Sequence, residues 1–541
     1  MNLSAPEPLK GAEILLIQPP IRDFYLTMKR TIPYGLTAIA APLIEAGFRV
    51  ALIDMLATSK SRPIDLPPEM AYLVPFFGNP DISPFSLFHQ FRRFGYSHHH
   101  LKNELKRHSP FLIGVSSLFT AYSDEALTVA RIAKELHPQA ALVMGGHHPT
   151  ALPKETISHD FVDYVIRGEG EEALLRLALA IQNKERIGAV PGIVFKKENG
   201  AIYLSEPALT EALDALPLPA SHLIKTSYYR RGPGSAITLM TGRGCPMTCS
   251  YCSMGELFRR YRKRSVPHVM AELTREISIR NARFIDFEDE NLSLDRRWFI
   301  HLLEEIIIHF GERQIELRAM NGLFPPSLDE TLIALMKQAG FKTLNLAIGS
   351  TDPDQLRRFK RPDVREAVER VLTICDDLLM ETVCYVIAGG PGQSADSSLK
   401  DLLYLHGKNA IAGLSVFYPA PGSLDYSVLE TRGQLPPSFS LMRATALPIA
   451  ETTTRIETAT LLRISRIINF MKALKKSGEP VPEPRPLEAM AIPSGTSRME
   501  IGKILLAAFL HDGQIRGVTP DGSIYEHGVS ARLTRGFIDG I

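Results

Sequence analysis

Three of the chain's five cysteines fall in one short stretch: Cys245, Cys249 and Cys252, within Thr-Gly-Arg-Gly-Cys-Pro-Met-Thr-Cys-Ser-Tyr-Cys over residues 241–252. The spacing is C-x3-C-x2-C, and an apolar run at 237–240 leads into it. Three thiolates crowded on one loop suit a soft metal centre. An iron–sulfur cluster is the natural occupant, because thiolates are its ordinary ligands. A 4Fe–4S cluster normally takes four cysteines. This loop supplies three, which leaves one iron open to a small molecule. A zinc site would need a fourth ligand, and His268 is the nearest histidine downstream. A disulfide is disfavoured, since the N-terminus, Met-Asn-Leu-Ser-Ala-Pro-Glu-Pro, shows no basic-then-apolar secretion signal.

Such a loop needs a scaffold on either side. Over residues 11–185 apolar runs at 13–18, 49–54, 111–117, 141–146 and 164–167 read as strands. Helical stretches at 35–46, 123–137 and 171–183 alternate with them. Gly47 and Pro138 mark two helix ends, Ser123 is the expected cap of the second helix, and Pro42 should kink the first. This alternation predicts a doubly wound, Rossmann-like parallel sheet. Ligands of such sheets bind at the carboxyl ends of the strands. There the chain places Pro19-Pro20, Asp54, Ser117 to Thr120, Gly145-Gly146-His147-His148-Pro149-Thr150 and Gly168-Glu169-Gly170-Glu171. Glycines at that edge would let a large ligand approach the backbone.

Beyond the cysteine loop, apolar runs at 284–287, 315–319, 343–348, 383–387 and 414–417 join the run at 237–240 to make six strands alternating with helices. Parallel α/β barrels place chemistry at the strands' C-terminal ends. Those ends carry Glu288-Asp289-Glu290-Asn291, Gly349-Ser350 and Gly389-Gly390-Pro391-Gly392.

The C-x3-C-x2-C spacing, with Tyr251 before its last cysteine and a short strand and a glycine before its first, resembles the signature of radical S-adenosylmethionine (SAM) enzymes. The resemblance implies a cluster whose open iron binds the amino and carboxylate groups of SAM, and a partial (β/α)6 barrel. SAM carries an ammonium, a carboxylate, a ribose and an adenine. In that setting Glu288 and Glu290 are expected at the ammonium or ribose and Arg318 at the carboxylate. Ser350 is expected at the ribose, and Tyr251 with the backbone from Gly389 at the adenine. The chain departs from the common Glu-Ser pair after the fourth strand, having Gly349-Ser350 instead.

Pro33-Tyr34-Gly35-Leu36, the Gly-Val-Ser-Ser stretch from Gly114, Gly-Gly-His-His-Pro-Thr from Gly145 and Gly-Glu-Gly-Glu from Gly168 together resemble the cobalamin-binding domain that precedes the radical SAM domain in one large subgroup. The resemblance implies cobalamin contacts at Pro20, Ser117, Thr120, Gly145, Gly146, His147, Gly168 and Glu169. The chain lacks Asp-x-His-x-x-Gly, so base-off cobalamin with no protein histidine on cobalt is expected. His147 and His148 then belong to the turn or the nucleotide tail.

The expected organisation is a cobalamin-binding domain at 11–185, a connector at 186–236, a radical SAM domain at 237–430 and a mainly helical C-terminal region at 431–541 that closes the substrate pocket. The connector carries a hairpin at Glu198-Asn199-Gly200. Cys375 and Cys384 lie in apolar stretches and read as core. His98-His99-His100 point in different directions on a helix and read as a surface run. The basic run Arg259, Arg260, Arg262, Lys263 and Arg264 reads as a solvated face, or as a contact for an anionic substrate or electron donor.

With 541 residues and a net charge of +2, the chain has no electrostatic footprint for nucleic acid, and it holds no apolar run of membrane-spanning length. A cytoplasmic enzyme is expected, served by a donor such as flavodoxin or ferredoxin. Its predicted reaction is methylation of an unactivated carbon of a small molecule. A cobalamin-dependent cyclase or rearrangement enzyme is the alternative, and a non-catalytic cobalamin or redox sensor the alternative of another class. An RNA- or protein-directed methylthiotransferase is disfavoured, because the N-terminal third has no cysteine for a second cluster.

Overall fold

The computed structural model describes residues 11–27, 31–258, 260–311, 315–447, 452–488 and 491–541. The N-terminal apolar runs form β1 (Ile14–Gln18), β2 (Val50–Asp54), β3 (Leu112–Ser116), β4 (Ala141–Gly145) and β5 (Tyr164–Ile166). All five pair in parallel, in the order β5-β4-β3-β1-β2. Alternate residues feed opposite cores. Leu15, Ile17, Ile113 and Leu142 face one core with α2 (Ser123–Leu136), where Val129 and Ala133 are fully buried. Ile14, Leu16, Leu112 and Val143 face the other, with α1 (Tyr34–Glu45) and α3 (Gly170–Asn183). Burial on both faces explains why these strands read as unbroken apolar runs.

The hairpin at Asn199-Gly200 forms as expected, between β6 (Ile193–Lys196) and β7 (Ile202–Leu204). It extends the sheet, adding two antiparallel strands beyond β5. α1 runs through Pro42 to Glu45. Ser123 is the first helical residue of α2, not its cap, and its hydroxyl is buried.

Six further strands follow: β8 (Gly234–Leu239), β9 (Ala282–Phe287), β10 (Glu316–Ala319), β11 (Thr343–Gly349), β12 (Glu381–Ala388) and β13 (Ile411–Val416). They form two parallel runs, β8-β9-β10 and β11-β12-β13. Parallel bridges Leu317–Phe341 and Leu323–Leu346 link the runs. Cys375 and Cys384 are fully buried in the core, as expected.

The C-terminal region contributes α4 (Arg455–Lys476) and α5 (Arg498–Asp512), followed by a hairpin of Arg516–Val518 with Ile524–Glu526 around Asp521-Gly522. α4 covers the edge strand β13. Its Asn469 accepts from Ala412 N at 2.8 Å and donates to Ala412 O at 2.9 Å, occupying backbone groups an edge strand would otherwise expose. Residues 56–110 pack against this region. Phe24, Met70, Leu73 and Phe77 share a small core with Leu441, Leu447 and Ala459.

Candidate active site

The cysteine loop is clamped before its first cysteine. Asp289, at the end of β9, accepts hydrogen bonds from Thr241 N (3.0 Å), Thr241 Oγ1 (2.6 Å) and Gly242 N (2.5 Å). Gly242–Arg243 then pairs antiparallel with Arg262–Lys263, closing the loop. Gly244 has φ +82°, and a Cβ there would lie 2.3 Å from Arg260 O and 2.6 Å from Phe258 O, so the turn admits only glycine. Cys245 N donates to Phe258 O at 3.2 Å. On the far side, Ser250 N donates to Phe359 O (3.0 Å) and Ser250 Oγ to Asp425 Oδ2 (3.0 Å).

Burial pushes the Cys252 thiol up to about 11 and raises that of Cys245. Both therefore stay protonated at neutral pH until a metal displaces the proton. Among the described residues, no three His, Cys, Asp or Glu side chains converge on a point where one ion would sit. Around a polynuclear cluster each thiolate takes a different iron, so three thiols on one loop suit a cluster. His268 is engaged elsewhere. Its Nδ1 lies 3.1 Å from Asp214 Oδ1 and accepts from Arg264 Nε at 3.1 Å.

Several of the expected SAM contacts gather around the loop. Glu290 accepts from Gly244 N at 3.2 Å, and burial pushes its carboxyl up to about 7. The Tyr251 ring meets Phe359 edge-on, with centroids 5.0 Å apart, and its hydroxyl accepts from Arg361 Nη1 at 3.1 Å. Gly389 (φ +73°) turns the chain after β12, and a Cβ on the neighbouring Gly390 would strike the Phe359 ring at 2.6 Å. Glu288 is half-buried, and its carbonyl accepts from Asn321 Nδ2 at 2.9 Å.

Two expected contacts are engaged within the fold instead. Arg318 pairs with Asp286 at 2.6 Å and lies over the Phe284 ring at 4.7 Å. Ser350 is buried, and its hydroxyl donates to Asp401 Oδ2 at 2.9 Å. Asp289 and Arg361 carry no weight in the sequence reading. Asp289 was hidden between two more suggestive glutamates, and Arg361 sits in the unremarkable Phe-Lys-Arg-Pro of 359–362.

At the C-terminal edge of the first sheet, Ser117 N donates to Gly145 O (2.8 Å) and His148 N to Ser117 O (3.2 Å). The Ser117 hydroxyl is buried without a hydrogen-bond partner among the described residues, and a Cβ at Gly145 would make only an ordinary contact, 3.8 Å from Ile166 O. The orphaned hydroxyl fits a polar ligand laid along the strand ends. His148 is locked between Thr120 Oγ1 (3.3 Å) and Glu155 Oε2 (3.2 Å), which accounts for Thr120 as well. His147 is exposed, and desolvation by the protein around it lowers its pKa. Its ring lies 5.7 Å from that of Phe258, whose carbonyl holds Cys245 N.

Three other residues of this edge serve the protein itself. A Cβ at Gly168 (φ +85°) would sit 2.2 Å from Ala208 O, so a crossing chain, not a ligand, requires the glycine. Pro20 is buried and packs beside Gly95, where an added Cβ would stand 3.1 Å from Pro20 Cβ. Glu169 binds arginine through both oxygens. Arg262 donates to Oε1 at 2.7 Å and Oε2 at 3.0 Å, and Arg243 lies 3.3 Å from Oε2. Arg243 also donates to Glu171 at 2.5 Å.

The basic run is only in part a solvated face. Arg262 and Arg264 are buried, Arg264 pairing with Glu272 at 2.6 Å, while Lys263 reaches Asp295. Arg260 pairs with Glu211 on the surface, and Arg259 lies outside the described residues. The histidine run behaves as expected, His98, His99 and His100 each having a separate neighbour.

The Asp289 clamp has a measurable cost. Asp289→Ala strands buried backbone donors at about 1–3 kcal/mol each, so its denaturant midpoint should fall clearly below that of Asp289→Asn, which keeps an acceptor. Equal midpoints would refute the clamp. Burial raises the Asp289 pKa to about 6. The share of stability linked to its titration is thus fully present below the ordinary carboxylate pKa near 4 and is lost as pH rises through about 6, while the hydrogen bonds its oxygens accept remain.

Two family models match the chain, "B12 binding domain" over residues 94–178 and "Radical SAM superfamily" over residues 239–403. The chain joins a B12-binding domain to a radical SAM domain. It is 25% identical over 489 residues to cytidylyl-2-hydroxyethylphosphonate methyltransferase of Streptomyces wedmorensis, covering 82% of this chain and 86% of that protein. It is 29% identical over 252 residues to an uncharacterized methyltransferase of Pyrococcus horikoshii, covering 46% of this chain and 54% of that one, so it matches only about half of that relative's length. Its fold is similar to that of the radical SAM methyltransferase TsrM of Kitasatospora setae, solved with cobalamin and a [4Fe–4S] cluster bound. The TM-score is 0.60 at 18% identity, covering 78% of this chain and 75% of that one. Among the described residues, no helix is long and apolar enough to cross a membrane.

Proposed function

We propose that the chain is a cobalamin-dependent radical SAM C-methyltransferase acting on a small molecule. The observation that carries this reading is the contact between its two halves. Phe258, bonded to Cys245 through its carbonyl, lies against His147 at the strand-end edge of the B12-binding domain. The cysteine loop and that edge thus meet at this contact, and a substrate bound beside it would lie near both cofactors. Cys245, Cys249 and Cys252 would hold the cluster, Tyr251, Glu288, Glu290 and Gly389 would border SAM, and Ser117, Gly145, Gly146 and His147 would border cobalamin. When bound, the cofactors supply one-electron cleavage of SAM and methyl transfer to carbon.

The protein's own part is positional. Asp289 and the Gly242–Arg243 ladder fix the loop. Glu290, with a pKa near neutrality, holds or releases a proton beside Gly244 N. The six parallel strands read as a partial barrel whose open side the C-terminal helices cover. A one-electron donor of flavodoxin or ferredoxin type would reduce the cluster.

Anaerobic reconstitution with iron, sulfide and cobalamin, followed by SAM, reductant and candidate substrates, tests the reading. Methylation gives 5′-deoxyadenosine and S-adenosylhomocysteine together with a product heavier by one methyl group. 5′-Deoxyadenosine with an unmethylated, altered substrate points to a cyclase or rearrangement enzyme. Loaded cofactors with neither product point to a sensor.

A further inference from the structure

Arg361 is a cation left over from the site described above. It follows the short helix Pro353–Arg358 and lies half-buried beside the end of β11. Nε donates to Ile348 O (3.1 Å), Nη2 to Ala347 O (2.6 Å) and Nη1 to the Tyr251 hydroxyl (3.1 Å). Nη1 also lies 3.8 Å from Cys249 Sγ. Gly349 makes room for this, since a Cβ there would stand 2.9 Å from Arg361 Cδ. The guanidinium is thus fixed at four points, all of them carbonyl, phenol or sulfur. Among the described residues no carboxylate pairs with it, although Arg318, Arg262 and Arg264 each have one. A partly desolvated cation favours a counter-charge. The partner within reach that is an anion when it binds metal is Cys249 Sγ.

We propose that Arg361 is a positioning residue that tunes the iron–sulfur cluster, its fixed positive charge leaning on the Cys249 sulfur and easing one-electron reduction. The inference rests on reading the cysteine loop as a cluster site. Reduction adds one negative charge to the cluster. A fixed cation beside a ligating sulfur lowers the energy of the reduced form more than that of the oxidised form, and hydrogen bonds to cluster sulfurs act in the same direction. The same side chain holds the Tyr251 hydroxyl, so charge placement and loop geometry are set together.

The test compares full-length wild type, Arg361→Gln and Arg361→Lys, each reconstituted anaerobically without SAM or substrate. Iron and sulfide content and visible absorption come first. Absence of a cluster in wild type would overturn the cluster reading itself. With a cluster present, the midpoint of its one-electron reduction is measured by redox titration followed by electron paramagnetic resonance, at fixed pH and salt. Arg361→Gln is expected to shift the midpoint to a more negative potential, and Arg361→Lys to recover most of that shift. An unchanged midpoint in a fully loaded Arg361→Gln protein would overturn the proposal, as would a lysine variant no different from glutamine. If Arg361→Gln fails to assemble, wild type labelled with 15N-arginine replaces it. Its reduced cluster should show 15N coupling in pulsed electron paramagnetic resonance, and no coupling would count against the proposal.

Discussion

Alanine at Cys245, Cys249 and Cys252 together is expected to remove the cluster iron and to bring 5′-deoxyadenosine formation down to the level seen with SAM and reductant alone. No other thiol can take over. Cys375 and Cys384 are fully buried, and burial pushes both to about 12. The fold should survive the change. The loop is held by Asp289, by the ladder of Gly242–Arg243 with Arg262–Lys263 and by the Ser250–Asp425 pair, none of which involves a cysteine side chain. The triple variant therefore separates chemistry from folding. Its circular dichroism and unfolding midpoint should match those of the apo wild type. Product formation that persists above background would refute the central reading.

Glu169→Ala is expected to destabilise the protein by about 3–5 kcal/mol, the cost of leaving a buried charge without its partner. The Glu169 and Arg262 side chains are only 8% and 5% exposed, so water cannot replace the lost carboxylate. Thr210 N, which donates to Glu169 at 2.8 Å, loses its acceptor as well. A control sits close by. Glu211 and Arg260 form an exposed pair, at 54% and 66%, and Glu211→Ala should cost about 0–1 kcal/mol. Denaturant unfolding of the apo proteins compares the two. Equal effects would show that the Glu169 pair contributes nothing beyond a surface ion pair. Replacing both partners, with Glu169→Leu and Arg262→Met, should recover much of the loss, since a well-packed apolar pair often matches a buried ionic one. Because Arg243 and Arg262 flank the cysteine loop while Glu169 and Glu171 open α3, this cluster also joins the B12-binding domain to the radical SAM domain.

Local patterns carried the architecture. The strands of the first sheet are buried on both faces, and so appear as apolar runs whatever they pack against. Hairpins at Asn199-Gly200 and Asp521-Gly522 follow from residues that tolerate the turn. The connector hairpin's place in the sheet was less legible, because edge pairing depends on which strand is left exposed. At the site, Tyr251, Glu290 and Gly389 lie around the loop because they sit at strand ends or in the motif itself. Ser350 and Arg318 occupy equally good positions along the chain, yet Asp401 and Asp286 engage them.

The sequence by itself determined the cysteine spacing, the alternation of strand and helix and the glycines that let the turns form. Each depends on residues a few positions apart, where covalent geometry and side-chain periodicity act directly. Only the tertiary structure decided which charges meet. Arg262 and Glu169 are 93 residues apart in the chain, and Arg361 reaches Cys249 across 112. Burial makes an unpaired charge costly, so the fold selects partners from whatever it brings together. That made Arg262, within the basic run, part of the joint beside the cysteine loop.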